Sequence, residues 1–106
     1  MTAPLDPIQT AADETISSWP GVRTKQVFGH HGYVRAKKMF AFIAPGGLAF
    51  KAAAKIAEPL YASGAAVPFV YGPSMEMRGW PVLPLVDDTS LTRALSAARE
   101  AFESVG

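Results

Sequence analysis

The sequence contains no cysteine among its 106 residues. Counting alone therefore excludes disulfide bridges, thiolate zinc sites, iron–sulfur clusters and cysteine nucleophiles. No apolar run approaches the roughly 20 residues that a membrane-spanning helix needs, and the N-terminus lacks the basic opening and apolar core of a secretory signal. We therefore expect a cytoplasmic protein that does not enter a membrane.

Motifs for catalysis and metal binding are also missing. There is no Gly-x-Ser-x-Gly nucleophile elbow, and Gly46-Gly47 lacks the lysine-serine pair that would complete a phosphate loop. The two histidines, His30 and His31, are adjacent, so on an extended chain their imidazoles point to opposite faces and do not readily converge on one ion. The sequence thus predicts no catalytic residue, no metal site and no cofactor, and a protein that is not an enzyme.

What the chain does contain is sufficient for one packed domain over residues 1–106. Apolar residues make up 49% of it, and the aromatic residues are six Phe, three Tyr and two Trp. This composition is typical of a folded chain, since disordered chains are poorer in aromatics and richer in charge. No internal repeat divides the sequence.

Helical patterns occur at three places. Asp6 and Pro7 suit an N-cap and a first helical position, and the helix they begin should end at Pro20-Gly21. Residues 52–63 are rich in alanine, but Pro59 predicts a break into two pieces before a stop at Gly64. Asp87, Asp88 and Thr89 cap a last helix that runs to about Ser104. The buried stripes expected for the first and last helices are Leu5, Ile8, Ala12, Ile16 and Trp19, and Leu91, Leu95, Ala98 and Phe102.

Short runs rich in aromatic and β-branched residues predict strands between these helices. Three or four of them form a meander, and Gly72-Pro73 joins a later pair, whose second strand Pro81 and Pro84 restrict to an edge or terminal position. In the third strand Phe40 and Phe42 share one face and Ala41 the other, so this strand should be central. The predicted strands are Lys25 to Phe28, Gly32 to Ala36, Met39 to Ala44, Leu48 to Lys51, Pro68 to Tyr71, and Ser74 to Trp80. The order α-βββ(β)-α-ββ-α predicts a two-layer α+β domain with an antiparallel sheet flanked by helices.

The net charge of +1 conceals a segregation of charge along the chain. All nine Asp and Glu residues lie outside the segment between Trp19 and Ala57. That segment carries a basic block, which consists of Arg23, Lys25, Arg35, Lys37, Lys38, Lys51 and Lys55. Whether the block forms one face depends on the fold. The candidate interaction residues are His30, His31, Tyr33, Arg35, Lys37, Lys38 and Lys51.

A series of short motifs between Val27 and Leu83 resembles the N-terminal domain of the TfoX/Sxy competence regulators. The motifs are Val27-Phe28-Gly29, Gly32-Tyr33, Lys38-Met39-Phe40-Ala41, Leu48-Ala49-Phe50-Lys51, Gly64, Pro68-Phe69, Met77 and Trp80-Pro81-Val82-Leu83-Pro84. The resemblance implies a stand-alone domain of that family with an antiparallel sheet flanked by helices, similar to the secretion-chaperone and YjbR-like folds. It also implies no known enzyme activity.

From these features we expect a regulatory or adaptor domain, related to transcription or competence control, that contacts another protein. Pairing with itself, as a homodimer formed through a sheet edge or a helix face, is part of this expectation. Two alternatives remain open. One is a nucleic-acid-associated factor that uses a basic sheet face formed by Arg35, Lys37, Lys38 and Lys51. The other is a small-ligand binder that uses His30, His31 or Lys51.

Overall fold

Three helices and six strands make up the computed structural model, which describes residues 4–27 and 29–105. The elements are α1 (Pro7–Ser17), β1 (Arg23–Val27), β2 (His30–Arg35), β3 (Lys38–Ala44), β4 (Gly47–Phe50), α2 (Ala54–Ser63), β5 (Val67–Tyr71), β6 (Met75–Pro84) and α3 (Asp88–Ser104). This confirms the predicted α+β order with four strands in the meander. Phe28, at which the first predicted strand ended, lies outside the described residues. Within the described residues no helix has the length and apolar character needed to cross a membrane.

The six strands form one open antiparallel sheet in the order β1-β2-β3-β4-β6-β5. β3 is an inner strand, as predicted. β6 also lies inside the sheet, between β4 and β5, so the prediction that its prolines would place it at an edge is wrong. Pro84 is the last residue of β6, and Pro81 pairs with Pro68 of β5 next to a register shift. The backbone donors that the prolines lack therefore fall at the end of β6 or beside the register shift, two positions where proline is tolerated.

The predicted starts of the first and last helices are confirmed, whereas other details of the helices differ from prediction. The Asp6 side chain accepts a hydrogen bond from the Gln9 backbone N–H at 2.8 Å, and Asp87 caps α3 in the same way. α1 ends at Ser17, before the predicted stop. α2 is one helix with Pro59 inside it, so the prediction of two pieces is wrong. A proline removes one intrahelical bond, and here the fully buried Ala57 on the same helix anchors it against the core.

All three helices pack on the same side of the sheet, which we call the covered face. The main core lies there, between helix residues such as Ile16 and Ala98 and strand residues such as Phe40 and Leu48, all of them fully buried. The Phe40 ring lies with its centroid 5.5 Å from that of Phe102 in α3. Burial of these side chains is the main source of stability in a domain of this size.

A β-bulge in β3 changes which residues face the helices. Val34 of β2 pairs with Met39 and Tyr33 pairs with Ala41, so Phe40 is an extra residue without a directly opposite partner. Phe40 therefore packs with Ala41 on the covered face, whereas Phe42 belongs to a separate cluster on the other side. The prediction that Phe40 and Phe42 share a face is wrong, because alternation counted along a sequence does not detect a bulge.

Candidate interaction surface

The side of the sheet that faces away from the helices, here called the open face, carries its own apolar cluster. Its buried members are Phe42, Ala44, Ala49 and Phe69, and the half-buried residues packed against them are Met39, Met77, Trp80 and Val82. Every one of these residues comes from a strand. Phe42 is nevertheless fully buried. Among the described residues, the side chains that pack around it in this cluster all belong to strands.

Curvature of the sheet explains how side chains from distant strands come into contact in this cluster. His30 of β2 and Phe69 of β5 lie on strands four spacings apart, a distance of about 19 Å on a flat sheet. Their ring centroids are only 6.1 Å apart, and the centroids of Phe42 and Phe69 are 4.8 Å apart in an edge-to-face arrangement. Side chains of this size do not span such a gap on a flat sheet, so the sheet curls toward its open face.

The two edges of the sheet differ in chemistry. At the β5 edge, large apolar side chains are exposed, with Val67 at 62%, Tyr71 at 49% and Met75 at 63% of their full accessibility. These residues belong to the longest stretch of the chain without a charged residue, positions 59–75. The opposite edge, β1, exposes Arg23 and Lys25, which is how natural sheets commonly protect an edge from other chains. The β5 edge lacks that protection.

The fold places all nine acidic residues on the helix side of the molecule. Eight of them are in helices or are helix N-caps: Asp6, Asp13, Glu14, Glu58, Asp87, Asp88, Glu100 and Glu103. The ninth, Glu76, lies on β6 and accepts a hydrogen bond from Arg78, which also donates to Glu58 of α2. The open face therefore has no carboxylate of its own.

The basic block is divided between the two faces. Directly paired residues share a face, and Lys25 pairs with Gly32, which pairs with Phe42 of the open-face cluster. Arg23 lies on the same face, because it pairs with Val34, which pairs with Met39 of the open-face cluster. Lys51, by contrast, lines a small hollow together with residues of α3 on the covered side.

His30 and His31 point to opposite faces, as predicted. His30 lies on the open face, where its ring is stacked on Phe42 at a centroid distance of 6.2 Å. His31 is on the covered side, with its Nδ1 atom 4.0 Å from the Asp13 carboxylate of α1. The two imidazoles therefore face away from each other, although both residues border a small hollow of about 140 Å³ beside Pro45.

Tyr33 is fully buried on the covered face and adds nothing to the surface. Its hydroxyl donates a hydrogen bond of 2.6 Å to the Asp13 carboxylate. Burial, and secondly this bond to a carboxylate, raises the pKa of Tyr33 well above its ordinary value. Tyr33 fixes α1 on β2, and it supplies no exposed aromatic ring between the basic residues.

Arg35 is also engaged inside the molecule. Its guanidinium donates to the carbonyl oxygen of Phe102 at 2.8 Å and lies 4.0 Å from the centroid of the Phe102 ring. A cation is favourable there because the last turn of α3 carries the negative end of the helix dipole. Lys37, Lys38 and Lys51 remain exposed. The seven candidate interaction residues thus do not form one continuous surface.

Several hollows lie between the described elements, and two of them bear on the candidate functions. A groove of about 660 Å³ between α2 and α3 has an apolar floor that includes Phe50 and Leu83, with Arg93 and Glu100 on its rim. A second hollow of about 470 Å³ lies on the open face and is lined by Lys25, Gln26, Val27, Val34, Lys37 and Met39. Of the seven candidate interaction residues, only Lys37 lines one of these two hollows, whereas Lys51 lines the small hollow beside α3.

Two residues of the open face, Val67 and Met75, were not identified from the sequence as surface residues, and Lys25 was assigned to the basic block but not to the seven candidate interaction residues. The absence of charge over positions 59–75 is the signal that could have identified the first two. Lys25 stands in a strand with period-two alternation, but its face depends on register, which the local sequence does not fix.

Comparison with known proteins assigns most of the chain to one family. The family model described as the TfoX N-terminal domain matches residues 14–101, which is most of the chain. No match was found among curated proteins.

Proposed function

The chain belongs to the TfoX N-terminal domain family, whose members relate to competence regulation, and from this premise we propose that it is a non-enzymatic regulatory or adaptor domain. It works by contacting another protein through the open face of its sheet. The observation that carries the proposal is the exposed, uncharged and apolar β5 edge of that face.

Exposed apolar area of this kind is characteristic of contact surfaces. Scattered apolar residues are normal on any protein surface, but a contiguous group marks a binding site or an aggregation hazard. Val67 and Tyr71 are on one strand, and Tyr71 pairs with Met75 on the next. They extend the buried cluster around Phe69 outward to the edge of the sheet. An extended segment of a partner can dock against such an edge.

The alternatives have less support. A nucleic-acid site needs clustered cations with exposed aromatic rings for stacking, whereas Arg35 is bonded to Phe102 and Tyr33 is buried. A ligand pocket usually combines apolar walls with convergent polar groups. The histidines proposed for such a site point to opposite faces.

Affinity capture from the native lysate tests the proposal with three baits. The first is the unaltered chain, the second carries Tyr71→Lys and Met75→Lys at the β5 edge, and the third carries Val86→Lys. Val86 is 71% exposed and controls for an apolar-to-lysine change elsewhere. Circular dichroism and urea unfolding confirm that each bait is folded.

We expect proteins that are enriched by the unaltered chain and by the Val86 variant to be lost with the β5 variant. Light scattering on the same baits identifies self-association: a dimer abolished by the β5 changes would make the partner a second copy. Identical capture by all three baits, or no enrichment by any of them together with a monomer in light scattering, contradicts the proposal. Co-purification of nucleic acid alone would favour the nucleic-acid alternative.

A further inference from the structure

The hollow on the open face, distant from the β5 edge, combines an apolar floor with a cationic rim. Val27, Val34 and Met39 form the floor, and Lys25 and Lys37 stand at the rim. The three floor residues are half-buried, so part of each side chain is accessible. With a volume of about 470 Å³, the hollow has room for one large side chain.

The charge of this rim is not compensated within the domain. Among the described residues, neither Lys25 nor Lys37 has a carboxylate within ion-pair distance. Arg23 lies on the same face, and the acidic residues are all on the helix side. A concave surface lined by one sign of charge raises the local concentration of groups of the opposite sign.

The backbone at Lys37 supplies a second, independent observation. Ala36 and Lys37 form the two-residue turn between β2 and β3 and both have positive φ, at 53° and 66°. Such turns favour Asn-Gly because most residues other than glycine, asparagine and aspartate are strained at positive φ. Strained backbone is concentrated at functional sites, so the positive φ of Lys37 beside this hollow is consistent with a binding role for its side chain.

We propose that this hollow binds a segment of a partner protein in which an apolar side chain stands next to an aspartate or glutamate. The apolar side chain contacts Val27, Val34 and Met39, and the carboxylate lies between the ammonium groups of Lys25 and Lys37. The inference rests on the proposed protein-contact function and adds the chemistry of the partner.

Charge and shape favour this occupant over two others. Two copies of the chain placed open face to open face would bring like charges together, because this face has cations and no carboxylate. For a nucleic-acid strand, the lysines could pair with phosphates, but none of the described residues that line the hollow is aromatic, so its bases would have no ring there on which to stack. An acidic and apolar segment matches both the rim and the floor.

Selection from a random peptide display library against the intact chain tests the proposal. The unaltered chain should enrich peptides that carry Asp or Glu next to a large apolar residue. The double variant Lys25→Glu/Lys37→Glu should bind those peptides at least tenfold more weakly and should instead enrich peptides with Lys or Arg at the same place. The matched control, Lys51→Glu/Lys55→Glu, changes the net charge equally on the helix side and should select as the unaltered chain does.

Failure to enrich any peptide, enrichment without acidic residues, or an unchanged preference in the double variant would each overturn the inference. So would displacement of the selected peptide by inorganic phosphate or by a single-stranded oligonucleotide at equal charge concentration, because it would assign the rim to phosphate. The capture experiment at the β5 edge is separate. If the capture experiment fails while the double variant inverts the peptide preference, the proposed β5 contact is wrong and the proposed peptide site in the hollow is retained. If the capture experiment succeeds and the peptide selection fails, only the proposed site in the hollow is rejected.

Discussion

Phe40 and Phe42 stand two positions apart on β3, and both side chains are fully buried, but they are buried in different ways. Phe40 lies under the helices, against Trp19 and Phe102. Phe42 lies on the face that no helix covers, under strand side chains such as Phe69 and Trp80. A bulge at Phe40 is what separates the two residues onto opposite faces.

The difference shows that curvature can take the place of a second helical layer. On the covered face, strand side chains are buried wherever a helix packs over them. On the open face, the buried residues that the structure describes lie where the curved sheet brings strand side chains together. Beyond that region the apolar β5 edge and the cationic hollow remain exposed, which is why both proposed contacts lie there.

Replacing Phe40 or Phe42 by alanine should give the largest change in the free energy of unfolding. The two variants test most directly whether the two faces differ in packing. Deleting a buried phenylalanine costs about 3–5 kcal/mol, and the cost rises with the cavity that remains. We expect Phe40→Ala to lower the free energy of unfolding by about 4 kcal/mol and Phe42→Ala by about 3 kcal/mol, because half-buried neighbours on the open face can close around the gap. Urea unfolding measures both.

Val86→Ala, at an exposed position, serves as the control and should have little effect. If Phe42→Ala costs as much as Phe40→Ala or more, the open-face cluster is packed as rigidly as the main core, and the contrast drawn above is wrong.

Gly32→Ala examines the close packing that shapes the open face. A Cβ atom at Gly32 would stand 2.6 Å from Cγ2 of Val27 and 2.9 Å from the backbone oxygen of Lys25. The backbone oxygen cannot give way without opening the β1–β2 pair, so we expect a destabilisation of about 2 kcal/mol by urea unfolding. Gly79→Ala is the matched control, since the nearest atom would be 3.9 Å away. Equal effects at the two glycines would contradict this account.

Tyr33→Phe removes a polar contact from the covered face without leaving a cavity. The variant leaves Asp13 without its 2.6 Å hydrogen bond, so we expect a loss of about 1.5 kcal/mol at neutral pH. Burial raises the pKa of Tyr33 above the unfolded value of about 10. The neutral hydroxyl therefore contributes stability that is fully present below pH 10 or so and is lost as the pH rises above it.

Urea unfolding between neutral and alkaline pH measures that dependence. Burial also raises the pKa of Tyr61. The Tyr33→Phe variant should therefore still lose some stability at alkaline pH, but less than the unaltered chain. An alkaline loss of equal size in the variant and the unaltered chain would mean that Tyr33 is not its source.

Lys37→Gly has the smallest expected effect, and it is the one substitution expected to stabilise the fold. Glycine adopts positive φ without strain, so relief at this position should raise the free energy of unfolding by up to about 1 kcal/mol. Lys38→Gly, in the adjoining strand, should instead lower it by about 0.5–1 kcal/mol. Thermal unfolding of both variants decides the point. A destabilised Lys37→Gly would mean that the lysine side chain supports the turn instead of straining it.

The elements of this fold follow from the sequence because their signals are local. The caps at Asp6 and Asp87, the stop at Gly64 and the apolar stripes of α1 and α3 depend on residues within a turn or two of each other. The divergence of His30 and His31 follows in the same way from the pleat of a strand. The single α2 helix is an exception, because tertiary packing overcame the local effect of Pro59.

The surface could not be predicted in the same way. The bulge at Phe40, the inner position of β6 and the curl of the sheet depend on partners distant along the chain, and together they decide which side chains share a face. For the same reason the basic block, continuous in sequence, is divided in space. The sequence by itself determined the helices, the strands and the absence of cysteine chemistry. Only the tertiary structure decided that all nine carboxylates lie on the helix side, leaving a face that is cationic at one edge and apolar at the other.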